Sequence, residues 1–218
     1  MARQYKRQYK LLSSFRALGF VLASLCLVSV SAVADDAPDI PADQNNADQK
    51  AAVQRLGEAF LPLATTFNCS KFAWGSFLNN GATVQIEYVP AGDNVERWTR
   101  LMTINIFPLP KDQSAQIDTM GKIQGGLLGV YKDKGKIIDQ TLFKTDEGYP
   151  RLFVEYEIGD GLQKEHSAGA FLKLMPTAAQ FVQIQARGKP FDPIDAANMK
   201  LFVQNKLKMP PAKTGPAN

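Results

Sequence analysis

The sequence predicts an α+β domain, a mainly antiparallel sheet of about six to seven strands with helices packed on its faces. Three observations carry that expectation. Residues 82–89 and 101–107 alternate apolar and polar side chains, the pattern of half-buried strands. Strand-like runs after residue 135 follow one another across turns too short for a crossover, so neighbours pair antiparallel. Between these two groups, residues 113–131 carry apolar residues at three- and four-residue steps, which predicts a helix.

Element by element, a helix opens the domain at about Gln49, with Leu56, Phe60 and Leu63 on one side; Pro62 is expected to kink or end it. Residues 71–77 read as a short strand and Asn79, Asn80 and Gly81 as a turn. In the next strand Val84, Ile86 and Tyr88 share a face, and Pro90 stops it. Met102, Ile104 and Ile106 do the same in the third strand, closed by Pro108 and Pro110. The central helix places Ile117, Met120, Ile123, Leu127 and Tyr131 on one stripe. Gly121, Gly125, Gly126 and Gly129 each weaken it by about 1 kcal/mol relative to Ala, so close packing on the sheet or a loosened second half is expected.

Four further strands follow at residues 135–144, 151–158, 165–175 and 178–187, with turns at Asp146-Glu147-Gly148 and Gly159-Asp160-Gly161. Leu152, Val154 and Tyr156 form the apolar face of the second of these. A last helix starts with Asp192 as N-cap, Pro193 in the first turn and Asp195 near the dipole's positive end; Lys206 and Lys208 suit its other end.

Residues 88–98, Tyr-Val-Pro-Ala-Gly-Asp-Asn-Val-Glu-Arg-Trp, leading into Leu-Met-Thr-Ile-Asn-Ile-Phe at 101–107, resemble the strand–loop–strand start of PsbP/Mog-like domains. In that family a Tyr and a Pro end one strand and a Trp before the next packs under the sheet. The resemblance covers roughly residues 70–206. It implies an α/β/α sandwich used by exported or lumenal accessory proteins that bind partners, and it carries over no catalytic residue and no ligand.

The first 34 residues have the three-part form of a secretory signal. A basic start (Arg3, Lys6, Arg7, Lys10, Arg16) precedes an apolar stretch at 17–33, and Ala32, Val33 and Ala34 precede Asp35. Cleavage between Ala34 and Asp35 is expected, with an uncleaved anchor as the alternative, because the stretch is nearly long enough to span a membrane. Leu25 before Cys26 excludes a lipoprotein signal, which needs a small residue there. The expected organisation is a signal peptide at 1–34, a flexible acidic linker at 35–48, one domain at 49–208 and a disordered tail at 209–218. The protein is then exported, to the periplasm in a Gram-negative host and otherwise secreted, with no membrane span after cleavage.

Of 25 basic residues five lie in residues 1–34, and none of the 21 acidic ones does, so the chain from Asp35 carries 20 against 21 and a formal net charge of −1. The overall basicity belongs to the leader and gives no support to nucleic-acid binding. Cys26 leaves with the leader, so Cys69 has no partner for an intramolecular disulfide. Beside Phe67 and Phe72 it reads as a buried thiol, against a reactive thiol or an intermolecular bridge. Asn68-Cys69-Ser70 matches an N-glycosylation acceptor in a eukaryotic host.

His166 is the only histidine. No Gly-x-Ser-x-Gly elbow accompanies it, and a Cys69–His166 pair would need the two to meet in space. One His and one Cys after cleavage make a poor zinc set. The Gly-Lys pairs at 121–122 and 135–136 lack the Ser or Thr of a P-loop, so no cofactor is implied. Glu155 and Glu157 share a strand face, and with Lys173, Gln183, Gln185 and Arg187 on neighbouring strands they suggest a polar sheet face for binding; solvation alone accounts for the same alternation. Trp74 and Trp98 flank strands and are expected to close the core rather than mark an interface. The leading expectation is a non-enzymatic exported protein binding a protein partner or envelope component. Small-ligand binding on the polar face is second, and a hydrolase using His166 or the glutamate pair is third. Oligomeric state is not readable.

Overall fold

The computed structural model of the chain describes residues 42–78, 83–159 and 164–206, with side chains from residue 47 onward. The leader, the Ala34–Asp35 junction, Cys26, the turns at 79–81 and 160–161, Lys208 and the tail lie outside the described residues. All elements below belong to the compact unit Ile40–Asn218.

Their order is α1 (Ala42–Thr66), β1 (Lys71–Leu78), β2 (Thr83–Val89), β3 (Arg100–Pro108), α2 (Gln113–Lys134), β4 (Gly135–Lys144), β5 (Pro150–Ile158), β6 (Glu165–Met175), β7 (Ala178–Arg187) and α3 (Pro193–Val203). The seven strands form one sheet in the order β1-β2-β3-β7-β6-β5-β4. Every neighbouring pair is antiparallel, as expected. Two hairpin ribbons, β1–β3 and β4–β7, meet where β3 pairs β7 from Arg100 opposite Ala186 to Pro108 opposite Ala178.

Helices cover both faces. On the first face, α1 packs on β1 and β2 and α3 on β5 and β6. Between them Val84, Ile86, Tyr88, Met102, Ile104, Val182 and Ile184 form the main core with Phe60, Leu63, Phe67, Met199 and Phe202. Tyr88 Oη donates to the Gly57 carbonyl at 2.7 Å, fixing α1 over β2. On the second face α2 lies over β4 and β5. Its Met120, Leu127 and Tyr131 are buried, and the Tyr131 ring stacks on Tyr156 at 3.9 Å.

Several sequence expectations are corrected. Helix α1 begins at Ala42, inside the expected linker, because propagating an already nucleated helix costs little per residue even through Asp and Asn. It also runs through Pro62 to Thr66. The proline removes one donor, whose regular acceptor belongs to the exposed Glu58, where water can replace it. Asn68, at φ 56°, then ends the chain's helical course, and Cys69 N–H closes onto the Ala64 carbonyl at 2.9 Å. Three of the four α2 glycines do not pack on the sheet: Gly121, Gly125 and Gly129 are exposed, and a Cβ at any of them would meet nothing within 4 Å. At the last helix Asp192 caps as expected, accepting from Ile194 N–H at 2.9 Å. Its end is set by Asn205 at φ 58°, with Lys206 N–H on the Leu201 carbonyl, while the basic residue of the last turn is Lys200.

Candidate functional site

Strand register splits the expected polar face in two. Glu157 stands opposite His166, and His166 opposite Ala186; Glu155 stands opposite Ala168. Gln183 is opposite Gly169 and Gln185 opposite Ser167, residues of the other parity. Glu155 and Glu157 therefore lie on the first face with α3. Lys173, Gln183, Gln185 and Arg187 lie on the second. Alternation within each strand was legible; which parity of β5 matches which parity of β7 depends on the pairing across β6.

The second-face residues are engaged within the fold. Gln183 Nε2 donates to Tyr131 Oη at 2.9 Å, and Thr103 Oγ1 donates to Gln185 Oε1 at 3.0 Å. Lys173 Nζ donates to Tyr149 Oη, which donates to Gln116 of α2. Arg187 donates through Nε to Glu165 at 2.9 Å, and its guanidinium lies 4.1 Å over the Trp98 ring. Trp98 is buried with Val89 and Leu101, as the sequence implied, whereas Trp74 is half-buried in β1.

The first-face residues form a cluster centred on His166. Its Nε2 donates to Glu155 Oε1 at 2.8 Å, and Nδ1 lies 3.7 Å from Glu157 Oε1. The ring stacks on Phe191, in the segment leading to α3, at 4.2 Å and 9°. Lys164 pairs with Glu157 at 2.8 Å, and that hydrogen bond holds the carboxyl below the usual carboxylate range. Beside it Lys200 donates to Asp139 at 2.8 Å. The central side chains remain partly open, His166 at 24%, Glu155 at 18% and Glu157 at 22% exposed. An open depression of about 590 Å³ adjoins Glu157, lined also by Lys134, Lys136 and Lys164.

Chemically this is a carboxylate patch ordered by an imidazole. Cys69 does not meet His166: it is buried beside Arg100 at the end of α1, and burial pushes its thiol up to about 12. The thiol is thus protonated and shielded, as a structural cysteine would be. Among the described residues no group of three or more His, Cys, Asp and Glu could hold a metal ion. Phe191, Lys164, Asp139 and Lys200 were missed from sequence. Strand register sets Asp139 opposite Glu155, the segment before α3 lays Phe191 on His166, and the last turn of α3 brings Lys200 over β4 and β5.

No protein-family model matches the chain, and no curated protein matches it. Among solved structures it is similar to the Ran-binding protein Mog1p of Saccharomyces cerevisiae, with 12% identity and a TM-score of 0.30 over 64% of this chain and 85% of that one. This is a weak structural likeness, and it carries no argument about partner or site.

Proposed function

We propose that this protein is an exported, non-enzymatic accessory protein that binds a basic segment of a protein partner through Glu155 and Glu157. One observation carries the reading: two neighbouring, partly exposed carboxylates, Glu155 held by His166 and Glu157 paired with an exposed lysine. Lys164 is 47% exposed. An exposed lysine–carboxylate pair is worth about 0–1 kcal/mol, so displacing it is cheap. An incoming arginine offers a planar, bidentate fork to the same carboxylate and is less strongly hydrated than the lysine it replaces. Export rests on the leader, with its basic start, apolar stretch and small residues before Asp35.

A photoreactive residue in place of Lys136, opposite Glu157 on β4, tests the patch in native cells. The expected result is one discrete adduct to a different protein that disappears when Glu155→Lys and Glu157→Lys are combined. Adducts to other proteins that are unchanged by the charge reversal would refute the site. Mass spectrometry of the recovered chain tests export separately, with Asp35 expected as the first residue.

A further inference from the structure

We infer that β4 pairs with β4 of a second copy about a two-fold axis through Leu142, joining two sheets into one. Among the described residues β4 is an edge strand, paired only with β5. Open edges attract strands, and they are usually short, charged or covered. This one spans Gly135–Lys144 and, although Lys136, Asp139 and Lys144 lie along it, exposes two large apolar side chains, Ile138 at 44% and Leu142 at 57%. A bulge between Ile137 and Asp139 leaves Ile138 without a partner in β5 and interrupts the first half of the strand. Beyond it residues 139–144 run in regular register against β5, so an added strand finds an undistorted template there.

The choice of a second copy follows from what faces what. Antiparallel pairing centred on Leu142 sets Leu142 against itself, Gln140 against Lys144 and Thr141 against Phe143. No like charges oppose each other, and the apolar side chain left most open meets its equal. Centring on Asp139 would oppose two carboxylates, and centring on Gln140 would draw the bulged Ile138 into the ladder. A formal charge of −1 on the chain from Asp35 adds little repulsion between copies.

Both Glu155–Glu157 patches would share one side of the continuous sheet.

Cysteine scanning of β4 in the chain recovered from native cells tests the register, since directly opposed residues lie within disulfide reach. Leu142→Cys is expected to form an intermolecular disulfide on mild oxidation. Gln140→Cys and Lys144→Cys are expected to link only when the two variants are mixed. Sedimentation is expected to give twice the chain mass, falling to one chain mass for Leu142→Lys. A single-chain mass for the unaltered protein at every concentration would overturn the inference. So would a Leu142→Cys variant that links no faster than Lys122→Cys at an exposed site of α2, or that links to a different protein.

Discussion

Arg100 Nη2 donates to Asp195 Oδ1 at 2.5 Å, joining the first residue of β3 to the first turn of α3. The same guanidinium donates through Nε to the Phe67 carbonyl at 3.0 Å, just past the end of α1. One side chain thus ties both helices of the first face to the centre of the sheet. Burial outweighs the arginine and lifts the Asp195 carboxyl above its ordinary range, and its Oδ2 has no hydrogen-bond partner.

Arg100→Met should therefore be expensive, because it strands a buried carboxylate. Removing one partner of a buried pair costs roughly 3–5 kcal/mol, and the partial exposure of Arg100 brings the expected loss to about 2–3. Adding Asp195→Leu to Arg100→Met should recover part of it. Urea unfolding of the two single variants and the double variant measures the coupling; strict additivity would show that the pair does not act as a unit.

Alkaline pH should weaken the fold. Burial raises Cys69 from 9.0 to about 12 and Tyr156 from 10.0 to about 12. Both folded values exceed the unfolded ones, so between pH 9 and 12 the folded state holds more protons. Stability is full below pH 9 and falls as pH rises through that window. Urea midpoints should decline there, with a shallower decline near its lower edge in Cys69→Ala. In the same vein, folded protein at neutral pH should resist thiol alkylation that proceeds readily in denaturant.

Two glycines should respond to alanine in opposite directions. Gly125 is an exposed helical position with nothing within 4 Å of an added Cβ, so Gly125→Ala should stabilise by about 0.5–1 kcal/mol. A Cβ at Gly75 would stand 2.4 Å from Val53 Cγ1, where α1 presses on β1. Overpacking of that kind costs about 1–3 kcal/mol. Paired thermal melts of the two variants check both signs.

Much of the fold was legible because local patterns and tertiary contacts agree. The alternation at Val84, Ile86 and Tyr88, and again at Met102, Ile104 and Ile106, survives as the first-face core. The helix start at Asp192 is a local hydrogen bond to a backbone donor. The candidate site was half legible. Glu155 and Glu157 were placed together by the two-residue period of one strand, but joining them to Gln183 and Arg187 required a register that no local pattern contains. The end of α1 was misjudged at Pro62, expected to kink or end it, because Asn68 in a left-handed conformation ends it instead, as Asn205 does after α3.

Element types and their order, the antiparallel pairing of strands joined by short turns, and the near-neutral charge beyond residue 34 are all written in the chain itself. These follow from neighbours along the chain: side-chain period, turn residues and counts of charge. Only the folded whole establishes that β3 joins β7, that His166 reaches Glu155 and stacks on Phe191, and that Arg100 holds two helices. Each of those links residues far apart in the chain. Their meeting depends on which faces pack and in what register, and that is fixed only when the whole core is buried at once.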